Sequence, residues 1–369
     1  MSKPVRIGFV GCGEAMSKPY MSLIDKLLSR GKVELTAACD IVDKRDFVRD
    51  CFGIPYFTTD YRELVERDDV DLVLVLSAMA THGPITKAAL LAGKHVLVEK
   101  PMAVELDQAE ELVELARTSP GYLLCAPYVI LSPTYHAVAR HIQNGDIGRP
   151  LTARARYGWA GPWWGQWFYK KGGGALFDLG VYNLTSLTGL LGPARRVTSF
   201  AGIAIPERVV DGELMRVEAE DNIQILLDFG NSVFACLTAG FTMQRMRSPA
   251  IEIYGTEGTL QMLGEDWAPA GYEMWQNQAQ CWKVYEETDR HWHWAIGIDH
   301  IVDCIQRGIP PVIQPEHALN VLEIMLKAKE SAEDGKTKAL VSSFEPPQFA
   351  ELHAARLRHL VHDPSTPAE

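Results

Sequence analysis

Hydrophobic and polar positions divide the chain into two parts with different periodicities. In the first part, short and almost uninterrupted apolar runs cover residues 5–11, 33–40, 71–78, 94–99 and 122–127. Amphipathic segments with helical spacing lie between these runs, including residues 84–93 and 105–119. Continuous apolar strands are typical of a parallel sheet that helices cover on both faces. The repeated β-α-β pattern therefore predicts a doubly wound parallel α/β domain over residues 1–127.

The second part begins after NGDIGRP (144–150), where apolar and polar residues start to alternate. The alternating segments cover residues 151–159, 222–229, 232–241, 250–255 and 258–263. A period of two predicts an antiparallel sheet with one polar face. Helical patterns follow at 295–307 and 315–333, so we expect a second α/β domain over residues 128–345. Residues 346–369 form a C-terminal extension whose end is expected to be disordered.

The composition is that of a soluble globular protein. Of 369 residues, 47% are hydrophobic and 22% charged, and the formal net charge is -11. Phosphate backbones are bound by clustered Lys and Arg, and no such cluster stands out, so we expect no nucleic-acid partner. No apolar run approaches the ~20 residues of a membrane span, and no signal-peptide pattern opens the chain. The seven cysteines lack a CxxC pair, which favours reduced thiols and a cytoplasmic protein.

A glycine-rich turn, GCGEAM (11–16), directly follows the first predicted strand. Gly11 permits a tight strand-to-helix turn, and Gly13 lets a pyrophosphate approach the N–H groups at a helix N-terminus. The second predicted strand ends in Asp40, where an acid accepts hydrogen bonds from the adenosine ribose and repels a 2′-phosphate. The pattern predicts a dinucleotide site that favours NAD over NADP. The alternative is an ordinary βα turn.

Lys100 ends another predicted strand, within GKHVLVEKP (93–101). Ligands of open α/β sheets bind at the carboxyl ends of the strands, and Pro101 stops the strand at that edge. We therefore expect Lys100 to be aimed into the site. The alternative for a lysine at a strand end is a solvated surface charge.

Three glycines lead into an amphipathic segment, KKGGGALFDLGVY (170–182), that carries Asp178 and Tyr182. The two residues are four apart, so on a helix they share one face. A free phenol titrates near ~10 and is a poor base unless a nearby ammonium lowers its pKa. We expect Tyr182 to accept a hydroxyl proton with Lys100 as electrostatic partner, or, in the reverse assignment, Lys100 to carry the proton. Asp178 either orients a substrate hydroxyl or caps the helix.

Two aromatic stretches are candidates for substrate contacts. YGWAGPWWGQWFYKK (157–171) packs four tryptophans into nine residues, and aromatic faces stack on the apolar faces of sugars. The alternatives are core packing and a subunit interface. The neighbouring Lys170 and Lys171 are candidates for meeting an anionic substituent. DRHWHWAIGIDH (289–300) contains His291, His293 and His300; without a Cys or carboxylate partner we expect a pocket contribution and no metal.

GKHVLVEKP and the later GGGALFDLGVY resemble the signature motifs of the Gfo/Idh/MocA oxidoreductases, in the family's order and spacing. The resemblance covers about residues 4–340. It implies an NAD(P)-dependent enzyme acting on a hydroxyl of a sugar, glycoside or cyclitol. The fold it implies is an N-terminal Rossmann domain followed by an α/β domain with a large open antiparallel sheet. Many relatives oligomerise through that sheet, which implies a dimer or tetramer.

The resemblance also assigns roles to particular residues. Lys100 matches the family lysine beside the nicotinamide, and Asp178 matches the acid of the second motif. Tyr182 stands where most relatives carry His; glucose–fructose oxidoreductase and the dihydrodiol dehydrogenases resemble this chain in having Tyr there. His82 corresponds to a histidine near the nicotinamide ribose. The chain departs from the family at Met16, in place of a third glycine, and at 128–135, which lacks the arginines of many relatives.

The motifs and the resemblance together predict a set of site residues. The catalytic residues are Lys100, Asp178 and Tyr182. The residues expected to bind NAD are Gly11, Cys12, Gly13, Glu14, Ala15, Asp40, Ser77, His82, Glu99 and Lys100. Those expected to bind a carbohydrate substrate are Tyr128, Trp159, Trp163, Trp164, Trp167, Lys170, Asp178 and His293.

Three functions are compatible with these residues. The first is an NAD-dependent dehydrogenase that transfers a hydride between nicotinamide and a secondary hydroxyl of a sugar, glycoside or cyclitol. The second is an NAD-dependent glycosidase that oxidises C3 transiently, eliminates, adds water and re-reduces without net redox change. The third is a non-enzymatic cofactor-sensing regulator, against which the presence of Lys100, Asp178 and Tyr182 argues.

Overall fold

A computed structural model describes residues 3–247, 249–286 and 292–347. The first part of the chain forms a six-stranded sheet in the order β3-β2-β1-β4-β5-β6, in which every pair is parallel. Its strands are β1 Val5–Val10, β2 Val33–Cys39, β3 Tyr56–Thr58, β4 Leu72–Val75, β5 His95–Val98 and β6 Leu123–Cys125. The predicted Rossmann sheet is confirmed. The sequence pattern missed only β3, whose three residues are too few to establish a period.

Five helices connect these strands. They are α1 Met21–Ser29, α2 Arg45–Phe52, α3 Tyr61–Val65, α4 Met79–Leu91 and α5 Leu106–Thr118. Strand order reverses between β1 and β4, so the loops that follow them diverge and leave a crevice at the carboxyl edge. The turns after β1, β4 and β5 meet at this edge, and they carry Gly13, Ser77 and Lys100.

The second part of the chain builds a nine-stranded sheet in the order β16-β15-β14-β13-β7-β12-β11-β8-β17. Its neighbours pair antiparallel except β7 and β12, which pair in parallel. Strands β9 and β10 form a separate hairpin. The bounds are β7 Pro150–Gly158, β8 Arg196–Gly202, β9 Glu207–Val210, β10 Glu213–Arg216, β11 Asn222–Gly230, β12 Val233–Gly240, β13 Ile251–Gly255, β14 Gly258–Glu265, β15 Ala268–Gln276, β16 Cys281–Tyr285 and β17 Lys338–Ala339. The sheet is thus mixed but mostly antiparallel.

Helices cover one face of this mixed sheet. They are α6 Pro133–Gln143, α7 Val181–Leu191 and α9 Pro315–Asp334, whereas α8 Gly297–Arg307 packs on α1 and the parallel sheet. Strand β11 alternates accordingly, with Ile223, Ile225 and Leu227 buried. Leu226 on the same strand and Phe200 on β8 are exposed on the opposite face. The described helices leave that face open, which explains the predicted period of two.

Two further observations bear on the class of protein. Among the residues described, no helix is both long and apolar enough to cross a bilayer. All seven cysteines are free thiols. The tail at 348–369 lies outside the described residues.

Candidate active site

The glycine turn after β1 has the geometry that a dinucleotide needs. Gly11 has φ +99°, and a Cβ there would lie 2.6 Å from the Leu76 carbonyl carbon, so only glycine fits. Gly13, in contrast, faces open space. The helix begins with a π-helical turn, Met16–Tyr20, in which Met16 is fully buried. Met16 therefore fills core space at the position of the missing third glycine.

Asp40 is held by the fold itself. Its Oδ2 accepts hydrogen bonds from the Cys12 N–H at 2.8 Å and from Lys44 Nζ at 2.9 Å, and its Oδ1 accepts one from the Val42 N–H at 3.1 Å. Burial opposes ionisation, but these bonds, led by the one from Lys44, hold the pKa of Asp40 below its usual value. Asp40 thus braces the glycine turn as a carboxylate, with a cation beside it that the sequence pattern did not reveal.

A cavity of about 900 Å³ joins the glycine turn to the second part of the chain. Its volume lies within the usual range for cofactor and substrate pockets. Twelve of the predicted site residues line it: Gly13, Glu14, Ala15, Ser77, His82, Glu99, Lys100, Trp164, Trp167, Lys170, Asp178 and Tyr182. The others lie outside its lining: Gly11, Cys12, Asp40, Tyr128, Trp159, Trp163 and His293.

The three expected catalytic residues meet in this cavity. Lys100 Nζ donates to Asp178 Oδ1 at 2.7 Å and to the Asp178 carbonyl oxygen at 3.1 Å. The side chains of Lys100 and Asp178 are only 11% and 17% exposed, so solvent screens this ion pair less than a surface pair. Lys100 Nζ also lies 5.4 Å from the centroid of the Tyr182 ring. A residue at the end of β5 is thus joined to two residues 78 and 82 positions later in the chain.

Asp178 lies within a π-helical turn, Leu176–Gly180, that precedes α7. No side chain caps the N-terminus of this turn, so the alternative role of Asp178 as a helix cap is wrong. Its carboxylate is directed to Lys100 instead. Single π-helical turns often occur at functional sites.

The glycine loop before this turn packs tightly against the protein's own atoms. A Cβ at Gly173 would lie 2.5 Å from the Trp167 carbonyl oxygen, and one at Gly174 would lie 2.3 Å from Glu220 Oε1. Gly174 also has φ +107°. Gly172 has open space and, with Gly173, lines the cavity. The loop therefore needs glycine chiefly for internal packing and backbone conformation.

The pKa of Tyr182 is raised, whereas the sequence analysis expects it to be lowered. Burial, followed by the negative charges of Glu99, Asp178 and Asp266, raises the pKa of Tyr182 well above its usual value. Lys100 does not offset this because its ammonium is committed to Asp178 and faces the ring. The prediction that Lys100 lowers the pKa of Tyr182 is wrong. Tyr182 is a neutral phenol at ordinary pH and can donate a hydrogen bond.

The carboxylate of Glu99 is held in place by a buried phenol, which in turn contacts a second one. Tyr20 donates to Glu99 Oε1 at 2.6 Å, and the Tyr20 and Tyr128 hydroxyls lie 3.3 Å apart. Tyr128 is fully buried, and a Cβ on Gly297 would lie 2.5 Å from its ring. The structure therefore places Tyr128 behind the cavity wall, which contradicts a direct substrate contact.

His82 joins the loops that follow β4 and β5. Its Nδ1 lies 2.7 Å from the Pro101 carbonyl oxygen and its Nε2 lies 2.9 Å from the Ser77 carbonyl oxygen. The ring is almost fully buried, and burial lowers the pKa of His82. The neutral ring has one N–H and donates it to one of these two carbonyls, so His82 lies between the loops that carry Ser77 and Lys100.

The tryptophan stretch divides into cavity and surface members. Trp164 and Trp167 line the cavity and are 40% and 49% exposed, and Trp167 stacks on Phe168 at 3.6 Å between centroids. Trp163 is 70% exposed and packs edge-on against Trp164, outside the cavity lining with Trp159. Direct contact with the cavity is therefore contradicted for Trp159 and Trp163.

The histidine-rich segment contributes a tryptophan to the cavity rather than a histidine. Trp294 lines the cavity and packs edge-on against Tyr20 at 6.0 Å. His293 accepts from the Ala295 N–H and stays out of the lining, so its predicted substrate contact is not supported. His291 lies outside the described residues. Within the described part of the chain, no group of three His, Cys, Asp or Glu side chains is placed to hold a metal.

Several cavity residues escaped the sequence-based assignment: Lys18, Pro19, Met79, Val104, Phe168 and Trp294. Phe168 and Trp294 belong to the two aromatic stretches in which the sequence predicts substrate contacts, but the prediction names other residues of those stretches. The apolar cavity residues could not be predicted, because a Met or Val that lines a cavity has the same sequence pattern as one in the core.

Comparisons with known proteins find matches to both parts of the chain. A family model for the NAD-binding Rossmann fold of an oxidoreductase family matches residues 5–125, and a GFO/IDH/MocA C-terminal domain model matches 135–261. The chain is 24% identical over 348 residues to trans-1,2-dihydrobenzene-1,2-diol dehydrogenase from Bos taurus, covering 88% of this chain and 96% of that enzyme.

Two further matches differ in how much they cover. The chain is 32% identical over 215 residues to 1,5-anhydro-D-fructose reductase from Ensifer adhaerens, a match that spans 56% of this chain and 61% of that enzyme. An NAD-binding oxidoreductase of known structure from Klebsiella pneumoniae superposes with a TM-score of 0.81 at 24% identity, covering 93% and 100% of the two chains. The structural match shows a shared fold.

Proposed function

The chain belongs to the Gfo/Idh/MocA oxidoreductase family, and on that premise we propose that it is an NAD-dependent dehydrogenase of a secondary hydroxyl on a sugar or glycoside. One observation carries the proposal: the buried Lys100–Asp178 pair beside Tyr182, in a cavity continuous with the glycine turn. The names of the diol dehydrogenase and the anhydrofructose reductase support a vicinal-hydroxyl or sugar substrate.

The residues around the glycine turn fit a dinucleotide. Gly13 leaves the space that a pyrophosphate needs, and Glu14 and Ala15 continue the cavity lining toward the helix N-terminus. Asp40, which holds that turn, would accept hydrogen bonds from the adenosine ribose, and Ser77 and Glu99 would line the nicotinamide end. When bound, NAD supplies the hydride acceptor.

Proton transfer falls to Lys100 and Asp178. We assign Lys100 Nζ to take the proton of the substrate hydroxyl while passing one of its own to Asp178 Oδ1, since the two atoms already share a hydrogen bond. The positive charge stabilises the developing alkoxide. Tyr182 donates a hydrogen bond to the same oxygen from its neutral phenol. In the reductive direction the same groups return the proton.

The substrate is proposed to stack on Trp164 and Trp167. Stacking of Trp167 on Phe168 limits its rotation, so less entropy is lost when a sugar ring packs on it. Lys170 and Lys171 both line the same cavity, and the Lys171 backbone N–H donates to Glu218 Oε2 at 3.4 Å. An anionic substituent on the sugar or its aglycone would meet these two ammonium groups.

The experiment is to incubate the purified protein with NAD and a panel of neutral and acidic sugars and glycosides. Accumulation of NADH, abolished by Lys100→Met, is the expected result. Release of free sugar without NADH would instead identify the redox-neutral glycosidase, which no particular feature of the site favours. Tight NAD binding with neither product would leave a cofactor-sensing regulator and overturn the proposal.

We also propose that the protein assembles through the open face of the mixed sheet. This face exposes Phe200, Leu226 and Phe234, an apolar set that isolated soluble sheets seldom leave in water. Light scattering after gel filtration should give a dimer or tetramer, and Leu226→Lys should shift it toward the monomer. A monomeric wild type would contradict the proposal.

A further inference from the structure

A buried acid lies behind the catalytic residues, in the turn between β14 and β15. Asp266 is 2% exposed and accepts hydrogen bonds from Asn183 Nδ2 at 3.0 Å and Ser186 Oγ at 2.7 Å. Both donors lie on α7, directly after Tyr182. Within the described chain Asp266 has no cation within ion-pair distance. A buried carboxylate held only by neutral donors is costly, so its presence requires a reason.

The same turn is attached to a second segment that lines the cavity. The Trp267 carbonyl oxygen, next in the chain, accepts a hydrogen bond from Trp292 Nε1 at 2.8 Å. Two residues later Trp294 lines the cavity and packs against Tyr20. One two-residue turn therefore connects the helix that carries Tyr182 with the segment that carries Trp294.

We propose that Asp266 is a positioning residue that fixes Tyr182 and Trp294 in the cavity lining, and that it does so as a carboxylate whose protonation rearranges its bonds to α7. This inference rests on the proposed dehydrogenase function. Asp266 is too deeply buried to touch substrate, so it acts through Asn183, Ser186 and the turn.

Asn183 provides a second arrangement for the protonated acid. In the ionised state its amide donates Nδ2–H to Asp266, while its Oδ1 has no partner among the described residues. A carboxylic acid has a proton to give and accepts less strongly. Rotation of the amide would bring the vacant Oδ1 to that proton, so each ionisation state has its own hydrogen-bond pattern.

The groups facing Asp266 keep its charge uncompensated. They are the phenols of Tyr135 on α6, Tyr157 on β7 and Tyr182 on α7, and the pKa of each is raised, by burial first. Burial likewise raises the pKa of Asp266 to about 7, against the opposing bonds from Ser186 and Asn183. The change between the two arrangements thus falls near neutral pH.

The sign of the effect on stability follows from that direction. A carboxyl raised in the folded state binds its proton more tightly there than in the unfolded chain. The associated stability is present below the unfolded value of about 4 and is lost as pH rises to about 7. The amide side chain in Asp266→Asn cannot ionise. As pH rises from about 4 to about 7, the unfolding midpoint of Asp266→Asn should therefore increase relative to that of the wild type.

The test compares Asp266→Asn, Ser186→Ala and Glu265→Gln, the last a matched control at the exposed neighbouring acid. We expect Asp266→Asn to lower kcat about tenfold with KM changed less than about threefold, and to remove a near-neutral inflection from the pH profile. Ser186→Ala keeps that inflection but moves it to higher pH, because a bond that favours the carboxylate is lost. Glu265→Gln leaves both unchanged.

Two readouts need no substrate and separate this inference from the dehydrogenase proposal. They are the unfolding midpoint from about pH 4 to about pH 8 and amide exchange in residues 181–186 and 292–296. Faster exchange in both segments of Asp266→Asn, with an altered pH dependence of unfolding, supports the positioning role even if no sugar is oxidised. Parallel unfolding curves for wild type and Asp266→Asn, or unaltered exchange in both segments, would overturn it.

Discussion

Two glycine turns, one in each half of the molecule, begin the helices that carry the site. After Gly11 and Gly13 the chain enters the π-helical turn Met16–Tyr20 and then α1. After residues 172–174 it enters a second π-helical turn, Leu176–Gly180, and then α7. In both halves a glycine turn, a π-helical turn and an α-helix therefore follow one another in the same order.

The two turns nevertheless serve different chemistry. The first presents backbone, because Gly13 faces open space at a helix N-terminus and no side chain obstructs a ligand. The second presents side chains, because Gly174 is packed on Glu220 and the following turn directs Asp178 to Lys100. Glycine in the first turn makes room for a ligand, whereas in the second it mainly allows the protein to pack on itself.

Lys100→Met should have the largest effect, because Lys100 pairs with Asp178 of the second turn in the cavity that Gly13 of the first turn also lines. Loss of the ammonium removes the proton carrier and the charge that stabilises the alkoxide, so turnover should fall by about 10³-fold or more. The affinity for NADH, measured by fluorescence titration, should change little. Lys18→Met is the matched control, since Lys18 also lines the cavity but pairs with exposed Glu14. Equal losses in the two variants would contradict the assignment.

Gly174→Ala tests whether the second turn is a packing device. The added methyl would meet the Glu220 carboxylate at a φ of +107°, so we expect a loss of about 3 kcal/mol in the free energy of unfolding. Gly172→Ala has φ +94° but open space, so only the backbone term of about 1 kcal/mol should remain. Urea unfolding of both proteins gives the comparison. Similar losses would show that conformation, not contact with Glu220, requires the glycine.

The sequence predicted the first turn better than the second because its parts lie close to one another in a repeating pattern. The strand, the glycines and Asp40 predict a dinucleotide site within forty residues. The ion pair between Lys44 and Asp40 was not predicted. The family resemblance assigned Lys100 and Asp178 to one site, but the ion pair between them was not predicted, because the two residues lie 78 positions apart. Burial, followed by the charges of Glu99, Asp178 and Asp266, raises the pKa of Tyr182 and keeps the phenol neutral, and no local pattern contains the burial.

Tyr182→Phe should lower kcat by about 10- to 100-fold, because a neutral phenol contributes one hydrogen bond to the reacting oxygen and not the proton transfer itself. The pH profile should keep its shape, since the raised pKa of Tyr182 places its ionisation outside the working range. Steady-state kinetics across pH measure both. Loss of a basic limb in the variant would restore Tyr182 as the proton acceptor.

Gly13→Ala tests the opposite expectation for the first turn. A Cβ there meets nothing within 4 Å, so the free energy of unfolding should stay within about 0.5 kcal/mol of wild type. The methyl would occupy space needed by the dinucleotide, so the dissociation constant for NADH should rise about tenfold. A loss of stability without weaker NADH binding would contradict this prediction and show that glycine in the first turn also serves packing.

Trp167→Ala should have the smallest effect, confined to the substrate side of the cavity. Removing a stacking face should raise KM for a sugar about fivefold, roughly 1 kcal/mol, with kcat and NADH affinity preserved. Trp163→Ala is matched in residue type and loop but lies outside the cavity lining, so its KM should not change. If both raise KM alike, the aromatic loop acts through its overall shape. If only Trp167 matters, the second half of the site recognises its ligand by side chains, as the first does by backbone.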